Sequence, residues 1–561
     1  MLLAGLALLL FPSLGAAPLE RAEIYFMDGA RAMVEGGDWL VPRYRGEPFF
    51  DKPALTYWLM ALSMLWFGPS PVAARAVAAL AALLVLVVTL ALGRLLFDRR
   101  TALLGGLVLA STLAFVGFGR MAMSDMLLTL WSTLAVALAV RVFAREPPAW
   151  ALPALGAVLG LGFQTKGPIA LLLPALGILL RQWPRRRERR PIAPRGLALA
   201  ALPFAILGLG WFVLVYRRLG AGPLEYFFLR ENLQRFAGEA YDSGHGPWFY
   251  LTTYLAEGLP WSLFLPLALW RMLRSPGEPG VRFLAAWVGL MLVPLSLSRG
   301  KIDYYLLPLY PALSLILGRF FASESWPGRE RAWVGVAVVL LAAGVALLAV
   351  APMRLPPEWL PGPAPRLALR AIAAAGALCC LWVGLRDPSP RRVVAVLAAS
   401  TALVFLLLVS FFLPAFTGGQ PNRMIAVEVE RETRWRPDAR LLLCRDPSRA
   451  QRDVLFHARV AVEERCDLWP RAASREPYLM LLGPEERASF RAIPGYREVS
   501  VHRYLPATVL TFDGLVLERP LPGEVVLAAN YATADPEAER KRKKEHRRLL
   551  LREQAEAAAG R

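Results

Sequence analysis

Acids and cations recur in this sequence at points where an apolar chain has no need of them. The densest group is GEPFFDKPALTYW, residues 46–58, which sets Asp51, Lys52 and Pro53 side by side among Phe49, Phe50, Tyr57 and Trp58. Upstream, Glu20 and Glu23 stand three residues apart, so a helix would carry them on one face. Further on come Asp125 in GRMAMSD, Lys166 in QTKGP, Glu231 and Arg235 in YFFLRENLQRF, His245 in HGPWFY, and Lys301, Tyr304 and Tyr305 in SRGKIDYY. Arginine offers phosphate a planar fork and lysine a point charge. Carboxylates suit general-base work on an incoming hydroxyl, or the holding of a metal. The aromatic residues suit a sugar ring or an isoprenoid chain. Each residue taken alone also reads as an interfacial anchor. The set does not, because anchoring does not call for acids.

The elements that must position these residues are membrane helices. The 561 residues are 56% hydrophobic, with a mean hydropathy of +0.42. Several apolar runs reach the roughly 20 residues that cross a bilayer. Thirteen spans are expected, at 1–17, 72–96, 101–117, 124–143, 149–163, 167–181, 196–216, 248–270, 282–298, 304–321, 332–352, 366–385 and 393–416. The first, MLLAGLALLLFPSLGAA, lacks the basic start of a secretion signal and is read as a span rather than a cleaved leader. With the N-terminus inside, every inside gap carries two to seven arginines, and the short outside gaps carry one or two basic residues each. The run RQWPRRRERRPIAPR, 181–195, is the strongest anchor. Loops 18–71 and 217–247 then face outward, as does everything after 416, which puts the acids and aromatics on the outer face. The net charge of +20 follows this gap pattern and a soluble tail, so nucleic-acid binding is excluded as the reason for it.

The expected organisation is a transmembrane domain, 1–416, a soluble domain, 420–530, and a basic tail, 536–561. Short apolar runs at 440–444, 459–462, 477–482 and 498–504 alternate with helix-compatible stretches, which suggests a small α/β domain. It carries no nucleotide-binding glycine fingerprint. The tail is a basic helix candidate that reads as a solvated or disordered tail or as a contact for anionic lipid headgroups. Cys379 and Cys380 lie in an apolar run and read as packing residues. Cys444 and Cys466 could pair if their domain faces an oxidising compartment.

The order acidic pair, GDWLVP, GEPFFDKP, SD, TKGP, YFF-x2-EN-x2-RF, H-x-PWFY, KIDYY resembles the GT-C membrane glycosyltransferases. The most similar branch is the lipid A 4-amino-4-deoxy-L-arabinose transferases, with protein O-mannosyltransferases as distant kin. The resemblance covers residues 18–320 by motif and the whole chain by layout. It implies a polytopic α-helical protein of the bacterial inner membrane, with its active site and C-terminal domain on the periplasmic side. It implies an undecaprenyl-phosphate-linked sugar as donor, inverting transfer, and lipid A or another envelope glycolipid as acceptor. No nucleotide cofactor is implied. Carried over residue by residue, Lys52 sits at the donor phosphate, with Lys166, Arg235 and Lys301 as further phosphate contacts. Asp51 and His245 are where a divalent metal can be held. Glu20, Glu23 and Asp125 are the candidate catalytic acids, and Glu231, Tyr304 and Tyr305 belong to the substrate loops. The family has an Asp-Glu pair where this chain has Ala22-Glu23. That departure points to an acceptor that is already anionic, or to one served by a glutamate.

Two other readings compete. A transporter of lipid-linked sugars would need ionisable groups within the spans or helices broken at mid-membrane, and the spans hold almost none. A protein O-glycosyltransferase shares the chemistry and differs in acceptor. The reading of the acid-lysine corner is testable. Lys52→Ala should cut turnover while leaving the folded protein intact, and unchanged turnover would remove Lys52 from the mechanism.

Overall fold

A backbone in hydrocarbon must satisfy its own hydrogen bonds, so long apolar runs become helices. The computed structural model describes residues 1–443 except 18, 144–147, 173, 176–193, 239–242, 275–277, 351–359 and 419–421. Beyond 443 it describes 462–464, 477–482, 487, 490–492, 496–504 and 523–529. Most of the arginine run 181–195, the end of the sixth expected span, Cys444, Cys466 and the basic tail lie outside the described residues. The chain forms two compact units, Met1–Thr417 and Gly418–Arg561.

The first unit opens with α1 (Leu2–Leu10), α2 (Arg21–Gly36), a hairpin of β1 (Arg43–Tyr44) and β2 (Glu47–Pro48), and α3 (Leu55–Phe67). Then come α4 (Pro71–Leu96), α5 (Arg99–Ala110), α6 (Leu113–Phe118), α7 (Asp125–Val142) and α8 (Ala151–Lys166). They are followed by α9 (Arg195–Leu219), α10 (222–237), α11 (Phe249–Glu257), α12 (Leu265–Arg274) and α13 (Pro279–Leu297). The unit closes with α14 (Asp303–Phe321), α15 (Gly328–Val350), α16 (Pro363–Arg386) and α17 (Pro390–Ala415). Among the described residues, eight helices are long and apolar enough to cross a membrane: α4, α7, α9 and α13–α17.

Local chemistry explains the boundaries. Ser70 accepts from the Ala73 N–H at 3.2 Å and Pro71 opens α4, as expected of a cap followed by proline. Asp98 caps α5 through the Thr101 N–H at 2.8 Å. Gly105 and Gly318 let α5 and α14 touch by backbone, since a Cβ on Gly318 would lie 2.4 Å from Gly105 N.

Three expected spans differ from the structure. The first stops at Leu10 rather than 17. Pro12 cannot continue the ladder, and the Arg120 guanidinium donates to the carbonyls of Leu9, Leu10, Pro12 and Ser13 at 2.6–3.2 Å. The span expected at 101–117 breaks between α5 and α6, where Leu113 N–H donates to Leu259 O. The span expected at 248–270 divides into α11, the turn Trp261–Phe264 and α12.

The first long loop, 18–71, holds two helices that the span pattern did not predict. Gly37 ends α2 at φ +72°. The hairpin turns on Arg45 and Gly46, both at positive φ (53° and 83°), the geometry that matches strand twist. Asp28 accepts from the Arg45 N–H at 2.7 Å, which ties the turn to α2. Trp58 and Trp211 donate to the carbonyls of Trp39 and Leu40 at 2.7 and 2.9 Å. Arg218 donates to Asp38 at 2.8 Å. The loop is thus fastened to both α3 and α9.

Glu23 anchors it from the other side. Glu23 and Arg75 are both 0% exposed. Arg75 Nε and Nη2 donate to the two Glu23 oxygens at 2.8 and 2.9 Å. The same carboxylate accepts from the Ala122 N–H at 2.8 Å and the Glu20 N–H at 3.0 Å. Arg75 also reaches the carbonyls of Leu14 and Ala17.

At one end of the bundle, ion pairs join gaps that the arginine pattern placed together. Arg319 meets Glu278 and Asp98, Arg271 meets Glu330, and Asp387 meets Arg331 and Arg392.

In the second unit α18 (Asn422–Trp435) accompanies a five-stranded sheet of β3 (Arg440–Leu443), β4 (Val462–Glu464), β5 (Tyr478–Leu482), β6 (Arg497–Tyr504) and β7 (Gly523–Ala529). The order is β4-β3-β5-β7-β6. β3 runs parallel to β4 and β5, and β7 antiparallel to β5 and β6. Alternate residues serve two faces: Leu441, Leu479 and Leu527 meet Ile425 and Val429 of α18, while Leu442, Met480 and Val526 pack with Phe490.

Removing one partner of a buried pair strands the other, which costs about 3–5 kcal/mol. Arg75→Met should therefore destabilise the protein severely in thermal unfolding. The double variant Glu23→Gln/Arg75→Met should recover part of the loss. A single variant as stable as wild type would show that the pair does not anchor the loop.

Candidate active site

Four segments of the chain converge on one cavity of about 810 Å3 in the first unit. Asp51 and Lys52 come from the loop before α3, Lys166 from the last residue of α8, and Glu231 and Arg235 from α10. Tyr305 enters from the first turn of α14. Leu128, Ile169, Leu171, Phe227, Phe228 and Leu295 make much of the remaining wall apolar.

Local structure aims each group. Gly167 follows Lys166 at φ +72° and ψ −146°, a conformation open essentially to glycine alone. A Cβ there would lie 2.6 Å from the Phe227 ring, so the aromatic wall packs directly on the turn that carries the lysine. Lys166 pairs with Asp125 at the start of α7, and its ammonium stands 4.4 and 5.6 Å from the ring centres of Tyr305 and Tyr304. In α10 the stretch Tyr226–Gln234 is π-helical, a winding often found at functional sites. Tyr226 donates its hydroxyl to Asp51 Oδ1 at 2.9 Å. Glu231 Oε2 lies 2.9 Å from Arg235 Nη1 and 3.7 Å from Lys52 Nζ. Lys52 also donates to its neighbour's carbonyl, Asp51 O, at 2.8 Å.

Burial sets the electrostatics. It raises the Asp51 carboxyl above its ordinary value, against the pull of Lys52. Burial lowers the Lys52 ammonium, against the pull of Asp51 and Glu231. The Tyr226 phenol is pushed up by burial and then by Asp51, and so stays a donor. The cavity therefore gathers three cations and two carboxylates in a lining whose remainder is largely apolar. Such a shape suits an amphiphile with a phosphate head.

The structure gathers Asp51, Lys52, Lys166, Glu231, Arg235 and Tyr305 in the lining and sets Asp125 and Tyr304 against Lys166. It places the other expected residues elsewhere. Glu23 is satisfied by Arg75 and two backbone N–H groups and does not line the cavity. Glu20 is the N-cap residue of α2. Neither lines the cavity. Lys301 is buried and donates to the Ser298 carbonyl; its neighbours Ser298 and Gly300 line the cavity, and Lys301 does not. His245 is exposed, with its ring stacked on Phe249 at 4.3 Å. Asp51 is bonded to Tyr226 beside Lys52, and no group of three or more His, Cys, Asp or Glu gathers among the described residues.

Two contributors were not read from the sequence. Tyr226 could have been found as a hydroxyl at the head of a charged segment. Arg75 carried a signal too, as the only charge near the start of a long apolar run.

Comparison with known proteins agrees with this geometry. The family described as dolichyl-phosphate-mannose-protein mannosyltransferase matches residues 51–211. Undecaprenyl phosphate-alpha-4-amino-4-deoxy-L-arabinose arabinosyl transferase 1 of Sodalis glossinidius is 33% identical over 443 residues, 74% of this chain and 76% of that protein. The chain belongs to this arabinosyl transferase family. A Pseudomonas aeruginosa member is 36% identical over 359 residues, 62% of this chain and 64% of its own length. The crystal structure of ArnT from Cupriavidus metallidurans bound to undecaprenyl phosphate has a TM-score of 0.71 at 21% identity, covering 94% of this chain and 97% of that one. It shares the fold. The protein is accordingly a multi-pass membrane glycosyltransferase, as the motif order implied.

A lysine whose pKa is lowered by burial binds phosphate only while it holds its proton. As pH rises through that lowered value the charge is lost, so affinity for a lipid phosphate should fall on the alkaline side before the ordinary lysine value of 10.5. In Lys52→Arg the guanidinium keeps its proton, and the alkaline limb of binding should move to higher pH. The same limb in both proteins would assign the titration to another group.

Proposed function

We propose that this enzyme transfers 4-amino-4-deoxy-L-arabinose from undecaprenyl phosphate to lipid A on the periplasmic face of the inner membrane. The observation that carries the proposal is the cavity's polarity. Lys52, Arg235 and Lys166 cluster in a lining whose remainder is largely apolar, which matches a polyprenyl phosphate. The names of the related transferases and the undecaprenyl phosphate bound in the structural relative support the same donor. The arginine-rich gaps support an N-terminus inside, a bundle of about thirteen spans, and a C-terminal α/β domain, 420–530, outside.

In the proposed reaction an acceptor oxygen attacks the anomeric carbon from the face opposite the leaving phosphate. The carbon–oxygen bond to phosphate breaks, and its electron pair stays on the phosphate. The donor phosphodiester carries one negative charge and the departing monoester gains a second. Lys52 and Arg235 stabilise that added charge, a contribution that grows toward the transition state. Glu231 holds the two cations together, and Asp51 orients Tyr226 beside Lys52. The donor brings its own leaving group, so no nucleotide takes part.

The placement of Glu20 and Glu23 bears on the acceptor. With Glu23 tied to Arg75, Asp125 tied to Lys166 and Glu20 at the cap of α2 outside the cavity lining, the expected carboxylates are poorly placed to serve a hydroxyl acceptor. A phosphate of lipid A is already an oxyanion and needs none. The purified protein in lipid bilayers, given undecaprenyl-phosphate sugars, should release undecaprenyl phosphate with lipid A as acceptor. Asp51→Ala should abolish the release, and dephosphorylated lipid A should not support it. Turnover on the dephosphorylated acceptor would overturn the oxyanion reading, and turnover with other sugars alone would overturn the donor.

A further inference from the structure

A second cavity, about 420 Å3, lies at the end of the bundle opposite the first. α14 relates the two: Tyr305 in its first turn lines the active-site cavity, and Phe321 at its last residue lines this groove. Arg99 and Arg100 enter from the start of α5, and Arg391 from the start of α17, nearly three hundred residues away in sequence. Leu103 and Leu104, one turn further along α5, form an apolar wall beside them.

The charge state of these arginines sets them apart from their neighbours. Arg271, Arg319, Arg331 and Arg392 at the same end each have a carboxylate within 4 Å. Among the described residues, no carboxylate within 4 Å pairs with Arg99, Arg100 or Arg391. All three are exposed. The local acids already serve other cations: Asp98 caps α5 and meets Arg319, and Asp387 meets Arg331 and Arg392. Three uncompensated guanidinium groups therefore face a groove at the level where three membrane helices end. Its inner wall is hydrocarbon, including Leu103 at 40% exposure. Basic pockets between membrane helices at this level recruit anionic lipid headgroups.

We infer that the groove of Arg99, Arg100 and Arg391 binds the phosphate headgroup of an anionic glycerophospholipid, with an acyl chain along Leu103 and Leu104. The guanidinium groups fork the phosphate oxygens. The lipid bridges α5 and α17, which no ion pair among the described residues joins at this point, and it supplies the negative charge that this corner lacks.

The full-length protein, exposed to equal amounts of phosphatidylglycerol and phosphatidylcholine, should retain phosphatidylglycerol in native mass spectrometry. Retention should fall about fivefold for each arginine removed in Arg99→Gln and Arg391→Gln, equivalent to ~1 kcal/mol per basic residue near an anionic lipid surface. Arg271→Gln, the same loss of charge at the same end, should leave it unchanged. Excess inorganic phosphate should not displace the lipid; displacement would make this a free-anion site and overturn the lipid assignment. No lipid preference in wild type, or full retention in both variants, would overturn the site itself. Thermal unfolding and sugar transfer report folding independently, and Arg391→Gln lies apart from the Asp98 cap should Arg99→Gln fold poorly.

Discussion

A carboxylate and a guanidinium that leave water together must satisfy one another completely, or the fold loses more than it gains. Glu23 and Arg75 meet that demand with two parallel hydrogen bonds, and their remaining capacity is taken by backbone groups at 14, 17, 20 and 122. Those four positions belong to the turn after α1, the start of α2 and the turn before α7. One buried pair therefore sets where the first outer loop leaves the bundle. The hairpin, Asp51 and Lys52 all hang from that loop. Arg120 does related work alongside, closing the carbonyl end of α1.

The cavity shows a different use of charge. Its cations are partnered, yet none is locked on every side. Lys52 stands 3.7 Å from Glu231, longer than a hydrogen bond, and Lys166 shares itself between Asp125 and two aromatic faces. Such partners keep the cations in place and leave room for an anion to compete. Contrast Arg75, whose hydrogen-bonding capacity is used within the protein. Two kinds of ion pair thus coexist in this unit, one with its hydrogen-bonding capacity used within the protein and one whose cations face a cavity.

The physics that was local in sequence could be read there. α4, α7 and α16 fall within a few residues of their expected spans, because an apolar run bounded by Ser-Pro, Asp or Gly-Pro carries its own start signal. Lys52, Lys166 and Arg235 were legible as cations in turns that lie outside the hydrocarbon. Glu23 was not legible as an anchor, because its partner lies fifty-two residues away inside a helix. The end of α1 was equally hidden, since the group that closes it, Arg120, comes more than a hundred residues later. α3 escaped because its 13 residues, though mostly apolar, are too few to span a bilayer. His245 entered by motif order, which carries no distances; its ring lies exposed and stacked on Phe249.

The π-helical turn of α10 has a consequence for how this family can vary. In π winding the hydrogen bonds run from each residue to the fifth along, so residues five apart lie one above the other. Tyr226 and Glu231 are five apart, and both face Asp51 and Lys52. An ordinary helix would align residues three and four apart instead and would turn one of the two away. The segment is therefore more sensitive to its length than to its composition. A one-residue deletion that restored regular winding would uncouple the tyrosine from the glutamate even if both were kept, whereas many substitutions on its outer face would leave the register intact.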